Sequence, residues 1–204
     1  MKIRTIDATE EKESTKAIPQ FDEAILNPQG DEIVCAVRTI PLHEFKLDEY
    51  CRKEGLVTYL PLQRVLRFHN VTSKGRPYTY SKEVLRPLFP SYLFLKATMP
   101  TLRGLFESKM LQRYLPPSDQ ESFLNEIRVV RKCEIVGFSQ ELEVHGDILE
   151  GKRFLITSGI WEGVEGRLTK KNDLCKWTVE IEFCQQYITV ELDPTQYKMI
   201  PLDV

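Results

Sequence analysis

An α+β fold in two parts is what this sequence predicts: an antiparallel sheet with helices over residues 33–133, then a small all-β barrel over 148–204. Three observations carry that expectation. Between residues 33 and 133, β-like runs are interleaved with helical spacing, whereas every run beyond residue 150 has β character. In the last fifty residues Trp177, Val179, Ile181 and Phe183 alternate with Thr178, Glu180 and Glu182, an apolar face backed by a charged one. At 204 residues with 42% hydrophobic side chains, the chain holds enough material for the cores of one or two domains.

Residues 1–32 are polar, lack helical or strand periodicity and end in the turn-rich "NPQGDE", which predicts a flexible extension. A first strand is expected in "IVCAVRT", 33–39. Pro41 opens "PLHEFKLDEYCRKEG", where Leu47, Tyr50 and Cys51 fall on one helical face and Gly55 stands where a C-terminal cap belongs. "LVTYLPL" and "RVLRF" read as β pieces, and the polar "HNVTSKGRPYTYSKEV" as a hairpin tip or exposed loop. "RPLFPSYLFL", 86–95, is the next strand. Leu102, Leu105 and Phe106 then mark a short helix and "KMLQRYLPP" a short strand. Ser118 with Glu121 three residues on forms a capping-box pattern ahead of Phe123, Ile127 and Val130 at helical spacing. The pattern weakens over 134–147, the expected connection. "RFLIT", "VEGRLT", "CKWTVEIEF", "YITVEL" and "YKMIP" supply five barrel strands.

Chemistry is scarce. Cys35, Cys51, Cys133, Cys175 and Cys184 lack zinc-ligand spacing, and His43, His69 and His145 sit in no nucleophilic signature. A catalytic pair such as Cys51 with His69 is left open, and the expectation is a protein without catalytic residues, metal or cofactor. No run approaches the ~18 apolar residues of a membrane span, and the N-terminus has no apolar leader core, so a cytoplasmic protein is expected. The net charge of −2 hides an asymmetry: cations outnumber acids between residues 33 and 100, and acids dominate the first thirty residues and the last sixty. Such a distribution suits one domain that faces phosphates or an acidic partner.

Two motifs give these pieces a family likeness. "GKRFLITSGIWEGVEGRLTKKN" places Gly159, Gly163 and Gly166 where positive φ or close approach is needed, around Trp161, and it resembles the KOW motif of NusG-type transcription elongation factors and certain ribosomal proteins. "PLFPSYLFL" resembles the aromatic strand of the NusG N-terminal domain, and the order of elements from residue 33 to 204 fits as well. Val34 and Cys35 replace that family's usual Trp-Tyr pair, and Ile160 and Trp161 the usual Pro and Phe of the KOW turn. The form of the aromatic motif and the long basic hairpin resemble a specialised, operon-dedicated paralogue.

The resemblance implies a non-enzymatic elongation or antitermination factor. Its N-terminal domain would hold the clamp helices of the largest RNA polymerase subunit through Phe89, Pro90, Tyr92 and Phe94, favouring the closed, processive state. Strand alternation puts Phe89, Ser91 and Leu93 on one face and Leu88, Pro90, Tyr92 and Phe94 on the other. Arg38, Lys46, Arg52 and Lys53, with Arg64, Arg67, Lys74 and Arg76 of the hairpin, are the candidates for contact with non-template DNA or nascent RNA. The barrel would recruit a ribosomal protein or a termination factor. The rival expectation is an RNA- or ribosome-binding KOW protein that never touches polymerase.

Overall fold

A computed structural model describes residues 21–73, 76–140, 142–145, 151–171 and 174–202. Its first part is built on a four-stranded antiparallel sheet in the order β2-β5-β1-β6, with β1 at Glu32–Thr39, β2 at Val57–Tyr59, β5 at Tyr92–Thr98 and β6 at Leu111–Leu115. Apolar runs without alternation made β1 and β5 central, because both of their faces are covered. Cys35 and Val37 share one face with Leu93 and Leu95, under Leu47 and Cys51 of α1 (Glu44–Lys53) and Leu102 of α2 (Met99–Gly104). Val34, Ala36 and Phe94 face the other way, against Phe123, Ile127 and Val130 of α3 (Gln120–Gly137). Gly55 ends the α1 segment at φ 75°.

Several boundaries differ from expectation. Residues 1–20 lie outside those described, but the expected flexible extension is packed by residue 21: Ile25 is buried in a 3-10 turn, Glu23–Leu26, and the Phe21 ring meets Tyr59 edge-on at 4.8 Å. Two apolar residues in a polar segment suffice to anchor it. The segment read as hairpin tip or loop is mostly ladder, β3 (Leu62–Ser73) paired with β4 (Arg76–Pro87) as a ribbon of its own. Its cross-strand hydrogen bonds need no buried apolar face, so hydrophobic alternation gave no sign of them. "RPLFPSYLFL" is no continuous strand: β4 ends at Pro87, residues 88–91 turn with Ser91 at φ 67°, and β5 starts at Tyr92. Asp119, not Ser118, caps α3, accepting from the amides of Glu121 at 3.1 Å and Ser122 at 3.3 Å. That helix runs on to Gly137, four residues into the expected connection, and residues 142–145 of the same stretch form a strand.

The second part is a six-stranded antiparallel sheet ordered β12-β8-β9-β10-β11-β7. Its members are β7 (Leu142–His145), β8 (Lys152–Ile156), β9 (Glu165–Lys171), β10 (Leu174–Ile181), β11 (Gln186–Glu191) and β12 (Met199–Pro201). Trp177, Val179, Ile181, Ile188 and Val190 are buried as their alternation requires. Gly159 and Gly163 have φ 75° and 79°, and a Cβ on Gly166 would stand 2.6 Å from the Thr178 carbonyl oxygen and 2.7 Å from the Trp177 ring. The expected alternation fails at one place. β10 stops at Ile181, and a 3-10 turn, Glu182–Cys184, swings Phe183 away from its own sheet.

α3 ties the parts together. The buried Glu134 carboxylate accepts from the Leu62 amide at 2.7 Å and the Tyr59 hydroxyl at 2.9 Å and pairs with Arg131, while Arg64 donates to the Phe138 carbonyl oxygen. Burial pushes the Glu134 carboxyl above its ordinary range, against the opposite pull of the Leu62 amide and Arg131. These contacts fix the base of the ribbon to the helix. On the other side, Lys132 donates to the Glu162 carbonyl oxygen between β8 and β9.

Candidate functional site

The turn at 88–91 gathers the aromatic residues that strict strand alternation would have separated. Ser91 holds its left-handed backbone because its amide donates to Glu44 Oε1 at 2.7 Å and its carbonyl oxygen accepts from the Thr39 amide at 2.9 Å. Glu44, in the first turn of α1, is only 5% exposed, so its carboxylate is committed to this role. The reversal brings Phe89 to the side of the sheet that carries Tyr92 and Phe94. Together with Phe123 of α3 they form an aromatic socket.

The socket is filled. Phe183 meets Phe94 at 5.0 Å, Phe89 at 5.2 Å, Tyr92 at 5.6 Å and Phe123 at 6.3 Å, with interplanar angles of 69–87°. Such edge-to-face geometry sets the positive rim of one ring against the negative face of another. Glu126 of α3 fixes the plug further by accepting the Phe183 amide at 3.2 Å. Of the four residues expected to hold the clamp helices, Phe89, Tyr92 and Phe94 are therefore largely covered by the chain's own Phe183. Phe89 and Phe94 are 0% and 1% exposed, Tyr92 is half-buried, and Pro90 alone of the four stands in solvent. A cleft of about 290 Å³ opens beside the plug, lined by Leu115, Phe123, Glu126 and Phe183 among others.

Residues 35–115, less than half of the chain, match the family described as "Transcription termination factor nusG". Over those residues the chain carries a domain similar to that family. The match spans β1, α1, the ribbon, the 88–91 turn and β5, and it ends with β6. No curated protein matches the chain. Among solved structures, a chain of the MjSpt4:Spt5 complex in conformation B is 15% identical, with 83% of this chain and 97% of that one covered at a TM-score of 0.25. That likeness carries no argument.

The basic candidates do not gather on the NusG domain. Arg38 is exposed at the socket rim, its guanidinium 5.9 Å from the centre of the Tyr92 ring. Lys46 is exposed on α1, but Arg52 and Lys53 are engaged within that helix, by Asp48 at 2.9 Å and Glu49 at 2.7 Å. Arg64 is turned toward Phe138 and lies 3.5 Å from Glu83. Arg67 is exposed on the ribbon, Arg76 opens β4 opposite Ser73, and Lys74 lies outside the described residues. Sequence reasoning missed Phe183, Phe123, Glu44 and Glu126. The alternation through Trp177 and Ile181 hid Phe183, because no glycine or proline marks the end of β10.

Proposed function

We propose that this NusG-type protein is a cytoplasmic transcription elongation and antitermination factor whose aromatic socket docks the clamp helices of the largest RNA polymerase subunit. The observation that carries the reading is the socket itself, four rings on one side of the first sheet held around a fifth ring that the same chain supplies from another part. A surface that accepts an aromatic side chain from one helical turn has the shape and chemistry to accept side chains from a partner helix. Phe89, Tyr92 and Phe94 are the proposed anchors, Pro90 and Arg38 the rim, and Glu44 a positioning residue that holds the turn.

Docking on this reading requires Phe183 to leave. The chain thus exists in a plugged and an open form, and polymerase draws it toward the open one by binding that form alone. A docked domain that touches both sides of the polymerase cleft adds binding energy only when the clamp is closed. Each 1.4 kcal/mol of that difference shifts the clamp about tenfold toward the processive state. The second part, with a KOW-like turn around Gly159, Trp161, Gly163 and Gly166, would on release be free to meet a ribosomal protein or a termination factor. Service to a dedicated operon fits the same picture, since a plugged factor stays off polymerase until recruited. Titration of the full chain with an isolated clamp-helix fragment tests the reading: saturable binding that Phe89→Ala and Tyr92→Ala both weaken is expected, and RNA binding without any fragment binding overturns it.

A further inference from the structure

A cleft of about 640 Å³ lies between the ribbon and the end of α3. Consecutive residues of β3, 63–68, line one wall, and Gly137 and Phe138 line the other. Successive side chains of a strand point to opposite faces, so a wall that takes in a whole run of them follows the strand's edge rather than one face. Among the described strands β3 pairs with β4 alone, and its second edge presents a row of backbone amides and carbonyls that no strand meets. The cleft therefore has the shape to hold an extended segment along β3.

Its lining mixes apolar and positive groups. Leu66 and Phe68 are 58% and 73% exposed. Arg67 and Arg86 are exposed beside them, and neither meets a carboxylate among the described residues; Glu83, the acid in the lining, is 3.5 Å from Arg64. An acidic segment that ends in apolar side chains fits such a surface. The chain has one, in residues outside those described: Asp7, Glu10, Glu11 and Glu13 stand close together against Lys12, and Ile3 and Ile6 precede them.

The reach is sufficient. The described chain starts at Phe21, whose ring meets Tyr59 at 4.8 Å and lies 5.3 Å from the Arg131 guanidinium. From Arg131 to Gly137, at the cleft, is about 9 Å along the helix at 1.5 Å per residue. Residues 14–20 extend to about 23 Å, and residues 7–13 cover as much again, close to the roughly 20 Å length of 63–68.

We propose that residues 7–13 of this chain dock in the cleft, extended along β3, with their carboxylates on Arg67 and Arg86 and Ile6 carried on to Phe68. The N-terminal arm is then a built-in cover for this side of the ribbon, displaced by salt or by a competing acidic segment. Such docking asks nothing of the aromatic socket, so either can fail without the other.

Hydrogen exchange on the full chain at low salt, read amide by amide along β3, tests the proposal. The β3 amides that point away from β4 are expected to be protected in wild type. They should exchange about tenfold faster when Glu10→Lys, Glu11→Lys and Glu13→Lys are combined, the loss of a few exposed ion pairs. High salt should move wild type in the same direction. Adding Arg67→Glu and Arg86→Glu to the triple variant sets opposite charges face to face again and should bring the protection back; no recovery would mean that the arm lies elsewhere. Outward amides that exchange as fast in wild type as in the triple variant overturn the docking. Protection that grows with chain concentration overturns it too, by giving the cleft to a second copy.

Discussion

Replacing Phe183 by alanine removes the plug while leaving the socket residues in place, and it should make the protein a better ligand for polymerase. The ring makes four edge-on contacts at 5.0–6.3 Å with Phe94, Phe89, Tyr92 and Phe123. An aromatic pair is worth about 0.5–1.5 kcal/mol beyond its buried area. Because Phe183 is only half-buried and pair terms do not add in full, about 2 kcal/mol is a fair value for what the ring gives the plugged form. Apparent affinity scales with the fraction of open molecules, so losing 2 kcal/mol tightens binding of a clamp-helix fragment by up to about thirtyfold, and by less if the open form is already common. Isothermal titration of wild type, Phe183→Ala and Phe89→Ala with that fragment measures it. The expected order of affinity is Phe183→Ala first, wild type next and Phe89→Ala last. If Phe183→Ala binds no tighter than wild type, or weakens like Phe89→Ala, the ring is ordinary packing and the plug argument is wrong.

Three further changes test the supports of the site. Glu44→Ala leaves the part-buried Ser91 amide without its acceptor, costing about 1 kcal/mol in denaturant unfolding, and should weaken fragment binding as well; Glu44→Gln keeps an acceptor and should restore most of both. Glu134→Ala leaves Arg131, Tyr59 and the Leu62 amide without their acceptor and should destabilise by about 3–5 kcal/mol. The Glu134 carboxyl is raised on folding, so its protonated form favours the fold: the benefit is complete below the unfolded value near pH 4.5 and is lost as pH rises through the raised folded value. The stability of wild type relative to Glu134→Gln should therefore fall as pH rises above about 4.5, and an opposite slope would show that Arg131 outweighs burial. Gly166→Ala drives a methyl group into the Thr178 carbonyl oxygen and the Trp177 ring and should lower the melting midpoint through a loss of about 1–3 kcal/mol.

Local signals were legible wherever one physical rule decided the outcome. β1 read as a strand from "IVCAVRT", α1 as a helix from Leu47 and Cys51 with Gly55 behind it, and Gly159, Gly163 and Gly166 from the need for positive φ or close approach. The ribbon was legible in part, "RVLRF" as a β piece and the rest as a hairpin tip or exposed loop, because an exposed two-stranded ladder satisfies its backbone without any hydrophobic pattern. For the site, Phe89, Tyr92 and Phe94 could be named, but not their common side: that depends on the reversal at Ser91, fixed by Glu44 from 47 residues away. Phe183 was invisible for the same reason. Its partners lie in another part of the chain, and its spacing after Ile181 continued a strand that had already ended. Contacts set by tertiary reach, rather than by neighbours in sequence, are what periodicity cannot carry.

The most direct test follows the Phe183 amide, which donates to Glu126 in the plugged form. Its hydrogen exchange should be slow in the free chain and should quicken when a clamp-helix fragment saturates the protein, while β5 stays protected. A Phe183 amide that remains equally protected in the saturated complex would mean that the fragment binds elsewhere, and that the aromatic socket is not where polymerase docks.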